Sequence, residues 1–258
     1  MKYLYLFNKI PFLKKFLKSI IRRLIFFLKK EHISFLLGDI KLNLNIRDSI
    51  DREIFFNGYY EEEQTKFIKK KIEQYSVTHF IDIGANIGIY SLRIAKQFSH
   101  LQVFAFEPHA EAFSRFEQNI KINELEKKIL IFNYALSNES GEIRFLSNER
   151  FEVEQSGGAK VSESGNTIVK QKKGDDLFNF KDQALAIKID VEGFELNVLQ
   201  GLSILMSNNK IFLQIEIFDS NFLKVSKYLE NFDFRLIYKD NFTHENDVSD
   251  YFYENFSA

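Results

Sequence analysis

Three short stretches of this 258-residue chain place acidic side chains where apolar strands end. The first, Phe80-Ile81-Asp82-Ile83-Gly84-Ala85-Asn86-Ile87-Gly88, is an apolar run that closes on a carboxylate and enters a turn holding two glycines. The second, Val103-Phe104-Ala105-Phe106-Glu107-Pro108, runs into an acid 25 residues after Asp82. In the third, Ile187-Lys188-Ile189-Asp190-Val191-Glu192-Gly193, alternation puts Lys188 and Asp190 on one face and Ile187 and Ile189 on the other. Charge on a strand that should be buried on both faces needs a reason. In a doubly wound sheet all three would end at one crevice, the place where such sheets bind ligands.

Glu107 stands where α/β folds put a carboxylate to accept hydrogen bonds from both hydroxyls of a ribose. The plainer reading is a surface acid at a helix N-terminus. Gly84 would let the backbone approach an adenosine-sized ligand, and Gly88 would let the next helix pack tightly. Glycines at strand ends also serve purely steric ends, so this motif alone decides little. Asp82 separates two ligand classes. A dinucleotide pyrophosphate over this turn would be repelled by it, whereas the amino group and sulfonium of S-adenosylmethionine would be attracted. The turn also lacks the middle glycine of G-x-G-x-x-G, so methyl transfer is favoured over hydride transfer. Lys188 either closes the sheet end in an ion pair with Asp190 or Glu192, or holds an acceptor oxygen.

The positioning elements follow from periodicity. Strands are expected at His79–Ile83, Gln102–Phe106, Ile129–Tyr134, Leu185–Asp190 and Ile211–Phe218, with helices at Gly88–Gln97, His109–Ile122 and Glu195–Met206. This alternation predicts a mostly parallel, doubly wound α/β sheet covered on both faces. Residues 137–174 are polar and glycine-containing, with β-like pieces at Glu142–Leu146 and Thr167–Lys170, and read as an excursion over the active-site edge. Phe232–Tyr238 is expected as a further strand, adding an antiparallel edge. Upstream, His32–Leu37 and Ile40–Ile46 flank Gly38-Asp39 as a hairpin, and Tyr59–Tyr75 reads as a helix. The division expected is a leader (1–30), a hairpin and helix packed on the core (31–76) and a catalytic domain (77–258).

The leader carries nine basic side chains and no acid, which leaves the remaining residues ten charges negative within a total of −1. An acidic body argues against a nucleic-acid partner. The leader's apolar runs are interrupted by charge and lack a cleavage site or a bilayer-length span. Residues 11–30 read instead as a basic amphipathic helix, suited to peripheral contact with the inner face of a membrane, or to packing on the domain or across a homo-oligomer. There is no cysteine, which is compatible with a reducing cytoplasm, and the five histidines lie far apart, so no metal site is expected. Acids crowding one edge keep a metal-assisted variant as the alternative.

Asp82-x-Gly84-Ala85-Asn86-x-Gly88-x-Tyr90-Ser91, then Phe106-Glu107-Pro108, then Lys188-x-Asp190-x-Glu192-Gly193-x-Glu195-x-x-Val198-Leu199-x-Gly201 together resemble the FkbM family of methyltransferases over about residues 59 to 220. Asp175-Asp176-Leu177 is similar to the family's acidic element, although Lys173-Gly174 stand where an apolar approach is usual. The resemblance implies a class I methyltransferase (Rossmann-like) fold and S-adenosylmethionine-dependent methylation of hydroxyls, often in glycans. It implies that Asp82, Gly84, Asn86, Gly88 and Glu107 hold the cofactor, that Ala135 lies near the adenine, and that Asp190 and Glu192 face the reacting centre. Transfer to an alcohol needs alignment and a proton acceptor. Asp190 is the first candidate base, with Glu192, Glu216, His109 and Asp219 in reserve. A sugar or glycan precursor is the expected acceptor; a non-sugar small molecule, a phosphorylated group or non-catalytic nucleotide binding are the alternatives.

Overall fold

The computed structural model describes residues 32–146, 160–161, 164–240 and 248–256, so the basic leader lies outside the described residues. The chain opens with the hairpin β1 (His32–Leu37) and β2 (Ile40–Asn45). Helices α1 (Ser49–Asn57) and α2 (Glu62–Tyr75) follow, where the sequence reading expected one helix. The signal of α1 lies in its ends. Asp48 accepts the Ile50 and Asp51 N–H groups, and Gly58 closes the helix with φ +73°. Two turns are too few to show a periodic stripe.

The catalytic body then runs β3 (His79–Ile83), α3 (Ile89–Gln97), β4 (Gln102–Phe106), α4 (Ala110–Ile122) and β5 (Ile129–Phe132). After it come β6 (Ala135–Ser137), β7 (Gly141–Leu146), β8 (Lys160–Val161) and β9 (Thr167–Lys173), which form a separate four-stranded sheet in the order β6-β9-β7-β8. The described part of the polar excursion thus pairs into a sheet. Next are β10 (Ala184–Ile189), α5 (Glu195–Gly201), α6 (Ser203–Asn208), β11 (Lys210–Phe218), α7 (Asp219–Glu230), β12 (Arg235–Asp240) and β13 (Val248–Glu254). The single helix expected at 195–206 is two short ones, because Asp175 receives the Ser203 hydroxyl and the N–H groups of Ile204 and Leu205 and starts a new helix there.

The seven-stranded sheet has the order β12-β13-β11-β10-β3-β4-β5. Pairs from β5 through β11 are parallel, while β13 runs antiparallel to both β11 and β12. The chain winds outward from β3 on one side, then crosses back to β10 and winds outward on the other. This is the doubly wound, Rossmann-like arrangement, with its switch point between β3 and β10. The expected antiparallel edge strand is β12, shifted toward the C-terminus. Inside it lies β13, whose Ser249, Asp250 and Glu254 are buried and mask an apolar strand signal. Glu254 is satisfied by Lys71 and Arg235 and Asp250 by Gln214.

One face of the sheet packs against the hairpin and α2 to α4 through residues such as Leu42, Ile68, Leu92 and Phe116. The other packs against α5 to α7 through Val198, Leu202, Val225 and Leu229. Each such side chain contributes about 1.5–3 kcal/mol on burial. Helix α4 ties the upstream elements to the core. Arg115 pairs with buried Asp51 of α1. Asn119 accepts the Asn43 N–H at 2.8 Å and donates to the Ile87 carbonyl at 3.0 Å. Among the described residues no helix is long and apolar enough to cross a membrane.

Candidate functional site

The carboxyl ends of β3, β4, β10 and β11 open into a cavity of about 390 Å³. At its floor Asp82 is 1% exposed and accepts the Ser91 hydroxyl at 2.6 Å through Oδ2. Burial raises its pKa, partly offset by the charge of Lys188. The turn after β3 is held to β4: the Gly84 and Ala85 N–H groups both reach the Phe106 carbonyl at 3.0 Å. Asn86 adopts φ +50°, and its N–H donates to Glu107 Oε2 at 2.7 Å. Glu107 Oε1 accepts the His109 N–H at 2.8 Å. Burial nonetheless pushes the Glu107 carboxyl up to about 7, against the lowering effect of these two donors.

At both glycines the protein's own packing leaves no room for a Cβ. A Cβ on Gly84, at φ +79°, would lie 1.8 Å from the Asp190 carbonyl oxygen. One on Gly88, at φ +86°, would lie 1.9 Å from the Phe116 ring. The close approach at Gly84 is therefore to the neighbouring strand end, a reason distinct from the ligand approach the sequence reading offered. At Gly88 the reading of tight helix packing agrees with this contact.

The opposite wall is charged. Register places Lys188 of β10 directly beside Asp82 of β3, and Lys188 Nζ donates to Asp190 Oδ2 at 2.9 Å. The ammonium also lies 4.9 Å from the centre of the Tyr90 ring. Burial alone would favour its neutral form, but Asp190, Asp82 and Glu61 raise its pKa well above the lysine range. Glu216 of β11 hydrogen-bonds Asp190, and burial followed by the Asp190 charge drives its pKa strongly upward. Crowding of the two carboxyls thus favours a proton held within the pair, opposed by the charge of Lys188. Glu192, held at φ +51° past the end of β10, completes a trio with Asp190 and Glu216 whose carboxylate oxygens lie within 4.8 Å of one another. Such oxygens could hold a hard divalent cation, the arrangement that the metal-assisted alternative would need.

Asp82, Gly84, Asn86, Glu107, Ala135, Lys188, Asp190 and Glu192 all line the one cavity, and so do the reserve residues Glu216 and His109. Gly88 stands behind it, against Phe116. Asp219 does not line it; it starts α7 beside Lys239 and Tyr251. Sequence reasoning missed Glu61, which sits at φ +41° before α2 and accepts the Tyr90 hydroxyl at 2.6 Å. It also quoted Tyr90 and Ser91 without giving them a role. Their position one turn into the helix after the glycine turn was the available signal; for Glu61, buried in an acidic run, there was none.

Strand order, switch-point crevice and acid-lined floor together define a class I methyltransferase (Rossmann-like) domain. Residues 82–236 match the model of the methyltransferase FkbM domain, and the chain belongs to that family. It is 33% identical over 137 residues to the hexuronic acid methyltransferase AglP of Haloferax volcanii, covering 52% of this chain and 54% of that protein. It is 26% identical over 170 residues to methyltransferase 1 of Beauveria bassiana, covering 54% and 68%. Against the solved structure of human methyltransferase 10 domain containing protein the TM-score is 0.46 at 12% identity, covering 76% of this chain and 80% of that one. The chain spans about half the length of the first of these relatives.

Proposed function

We propose that this protein transfers a methyl group from S-adenosylmethionine to a hydroxyl of a sugar or glycan precursor. The observation that carries the reading is the convergence, in one cavity of an FkbM-family chain, of an acceptor-rich floor (Asp82, Asn86, Glu107) and an ion-paired acid (Lys188–Asp190). The sugar acceptor draws support from the printed activity of the Haloferax relative.

The floor fits the cofactor. Asp82 Oδ1 and Asn86 Oδ1 are buried without a protein partner among the described residues. Unmet acceptors of this kind cost free energy unless donors reach them, and an amino group and ribose hydroxyls are such donors. Asp82, Asn86 and Glu107 would hold the cofactor, and Ala135 would bound the adenine. When bound, S-adenosylmethionine supplies a methyl group on a cationic sulfur. The protein's own task is to orient the acceptor hydroxyl and take its proton. Asp190 is the proton acceptor: the Lys188 ammonium bonded to it favours its charged form, and Glu216 is hydrogen-bonded to it from the next strand. Glu192 orients the acceptor. Incubation of the full chain with methyl-labelled S-adenosylmethionine and a panel of sugars tests the reading. Label in an O-methyl ether supports it, and cofactor binding without transfer to any hydroxyl refutes it.

The same proposal places the protein in the cytoplasm, with residues 11–30 touching the inner face of the membrane. Its support is the run of basic residues on one side of an apolar stripe.

A further inference from the structure

Resting on that reading, we infer that Tyr90 is a positioning residue that commits the Lys188 ammonium to Asp190 and so leaves Asp82 Oδ1 open to the amino group of the cofactor. Three carboxyl groups surround Lys188 Nζ, those of Asp190, Asp82 and Glu61. Register favours Asp82, since the two residues stand side by side on β3 and β10 with their side chains on one face of the sheet. The ammonium nevertheless bonds Asp190, two residues further along, at 2.9 Å. Asp82 accepts the Ser91 hydroxyl on Oδ2, and its buried Oδ1 has no hydrogen-bond partner among the described residues. A lysine ammonium is a point charge on a flexible stem, so backbone position alone does not make this choice.

Tyr90 makes it. This side chain stands on the first turn of α3, 4% exposed, with its ring centre 4.9 Å from Lys188 Nζ. An ammonium gains more from a ring face when both are out of water, so the ring draws Nζ to one side of its stem. The ring itself is held at its far end. The Tyr90 hydroxyl donates to Glu61 Oε2 at 2.6 Å, and Gln214 Nε2, which also bonds Asp250 at 2.8 Å, reaches the same hydroxyl at 3.4 Å. Tyr90 thus occupies Glu61 with its hydroxyl and seats Lys188 with its ring, which leaves Asp190 as the partner of the ammonium. The consequence reaches the cofactor floor. Without the ring, Nζ can turn to Asp82, where an ammonium on Oδ1 would take the acceptor and repel the amino group of S-adenosylmethionine. The adenosine part, received by Asn86 and Glu107 under the same reading, would not feel the change.

The experiment is calorimetric titration of the full chain and its variants, at neutral pH with EDTA, using S-adenosylhomocysteine, which carries the amino group, and methylthioadenosine, which shares the adenosine and lacks that group. Tyr90→Leu should weaken S-adenosylhomocysteine binding by about tenfold or more and leave methylthioadenosine within about threefold. Tyr90→Phe keeps the ring and should lose less than about threefold on either ligand. Adding Lys188→Met to Tyr90→Leu removes the misplaced ammonium and should restore most of the S-adenosylhomocysteine affinity, a rescue that a merely structural role of Tyr90 would not give. Equal losses on both ligands, no loss on either, or no recovery in the double variant each overturn the inference. Should Tyr90→Leu fail to fold, NMR of the wild type with isotope-labelled lysine decides: a ring facing Nζ shifts the Lys188 ε-methylene protons upfield of those of exposed lysines, with the signals identified by their loss in Lys188→Met. Ordinary positions for these signals overturn the seating. If the wild type binds methylthioadenosine as tightly as S-adenosylhomocysteine, Asp82 does not receive the amino group, and the inference falls while the adenosine assignment stands; if it binds neither, the proposed function itself falls.

Discussion

Glu107 accepts the backbone N–H of Asn86 at 2.7 Å, joining the end of β4 to the turn after β3. Its other oxygen accepts the His109 N–H at 2.8 Å, at the start of α4. One side chain therefore shapes the turn and caps a helix entry, and under the proposed function it would also receive the ribose hydroxyls. Carboxylate oxygens have lone pairs for all three tasks. Loss of Glu107 should be felt in loop geometry as well as in ligand affinity.

Glu107→Ala should weaken S-adenosylhomocysteine binding by about 30-fold to 1,000-fold, the equivalent of roughly 2 to 4 kcal/mol for two hydrogen bonds to a charged group. Calorimetric titration of the folded variant checks this. An unchanged dissociation constant would remove Glu107 from the cofactor site.

Cofactor affinity should depend on pH through the same residue. Burial raises the folded pKa of Glu107 from 4.5 to about 7. Its contribution to stability is thus fully present below about 4.5 and is lost as pH rises through about 7. Ribose hydroxyls donate to the ionised form, so binding must displace a proton below that range. Affinity should climb with pH by at most about tenfold per unit up to about 7 and then level off. The Glu107 component is the difference between wild type and Glu107→Gln; parallel profiles would show that Glu107 does not titrate with binding.

Asp190→Asn should keep the fold and lose most turnover, because the amide preserves shape while removing the basic oxygen. Cofactor binding is expected to stay within about tenfold, roughly 1.4 kcal/mol. Single-turnover kinetics on a productive acceptor measure the chemical step. Near-normal rates would shift the proton acceptor to Glu192 or Glu216.

Lys188→Met should destabilise the protein by about 2 to 4 kcal/mol, since Asp190, Asp82 and Glu61 would face one another without a cation. The figure lies below the range for fully buried pairs because the Asp190 side chain keeps 29% exposure. Urea denaturation measures it. Adding Asp190→Asn to the same chain should restore about 1 kcal/mol or more. Simple additivity of the two losses would mean that Lys188 stabilises through packing alone.

Residues 11–30 should bind vesicles of anionic lipid, with an affinity that falls steeply with salt, because the attraction acts within a Debye length of about 8 Å at physiological ionic strength. Sedimentation of the full chain with vesicles at rising salt tests it. Removing residues 1–30 should abolish vesicle binding and leave S-adenosylhomocysteine binding intact. Unfolding or a changed oligomeric state would make the segment structural instead.

Much of the architecture could be read locally. Strand pattern, glycine turns and helix stripes are short-range consequences of backbone geometry, and His79–Ile83 and Gln102–Phe106 form strands with the bounds the residues imply. So were the acids at strand ends, since a carboxylate after an apolar run has few structural uses. What no local pattern carries is convergence. Lys188 meets Asp82 because β10 lies beside β3 in one register, and Glu216 meets Asp190 because β11 is the next strand out. Strand β13 was hidden because its polar residues find partners only across the sheet. Gly84 lines the cavity, but the steric demand for a glycine there comes from the Asp190 carbonyl, which no local pattern announces. Glu61 enters the cavity from a helix start far upstream, at a backbone conformation that tertiary packing alone holds. The sequence by itself determined which segments form strands and where acids stand along them; the order in which those strands associate decided which charges share a cavity, because electrostatic coupling depends on distance in space and not on separation along the chain.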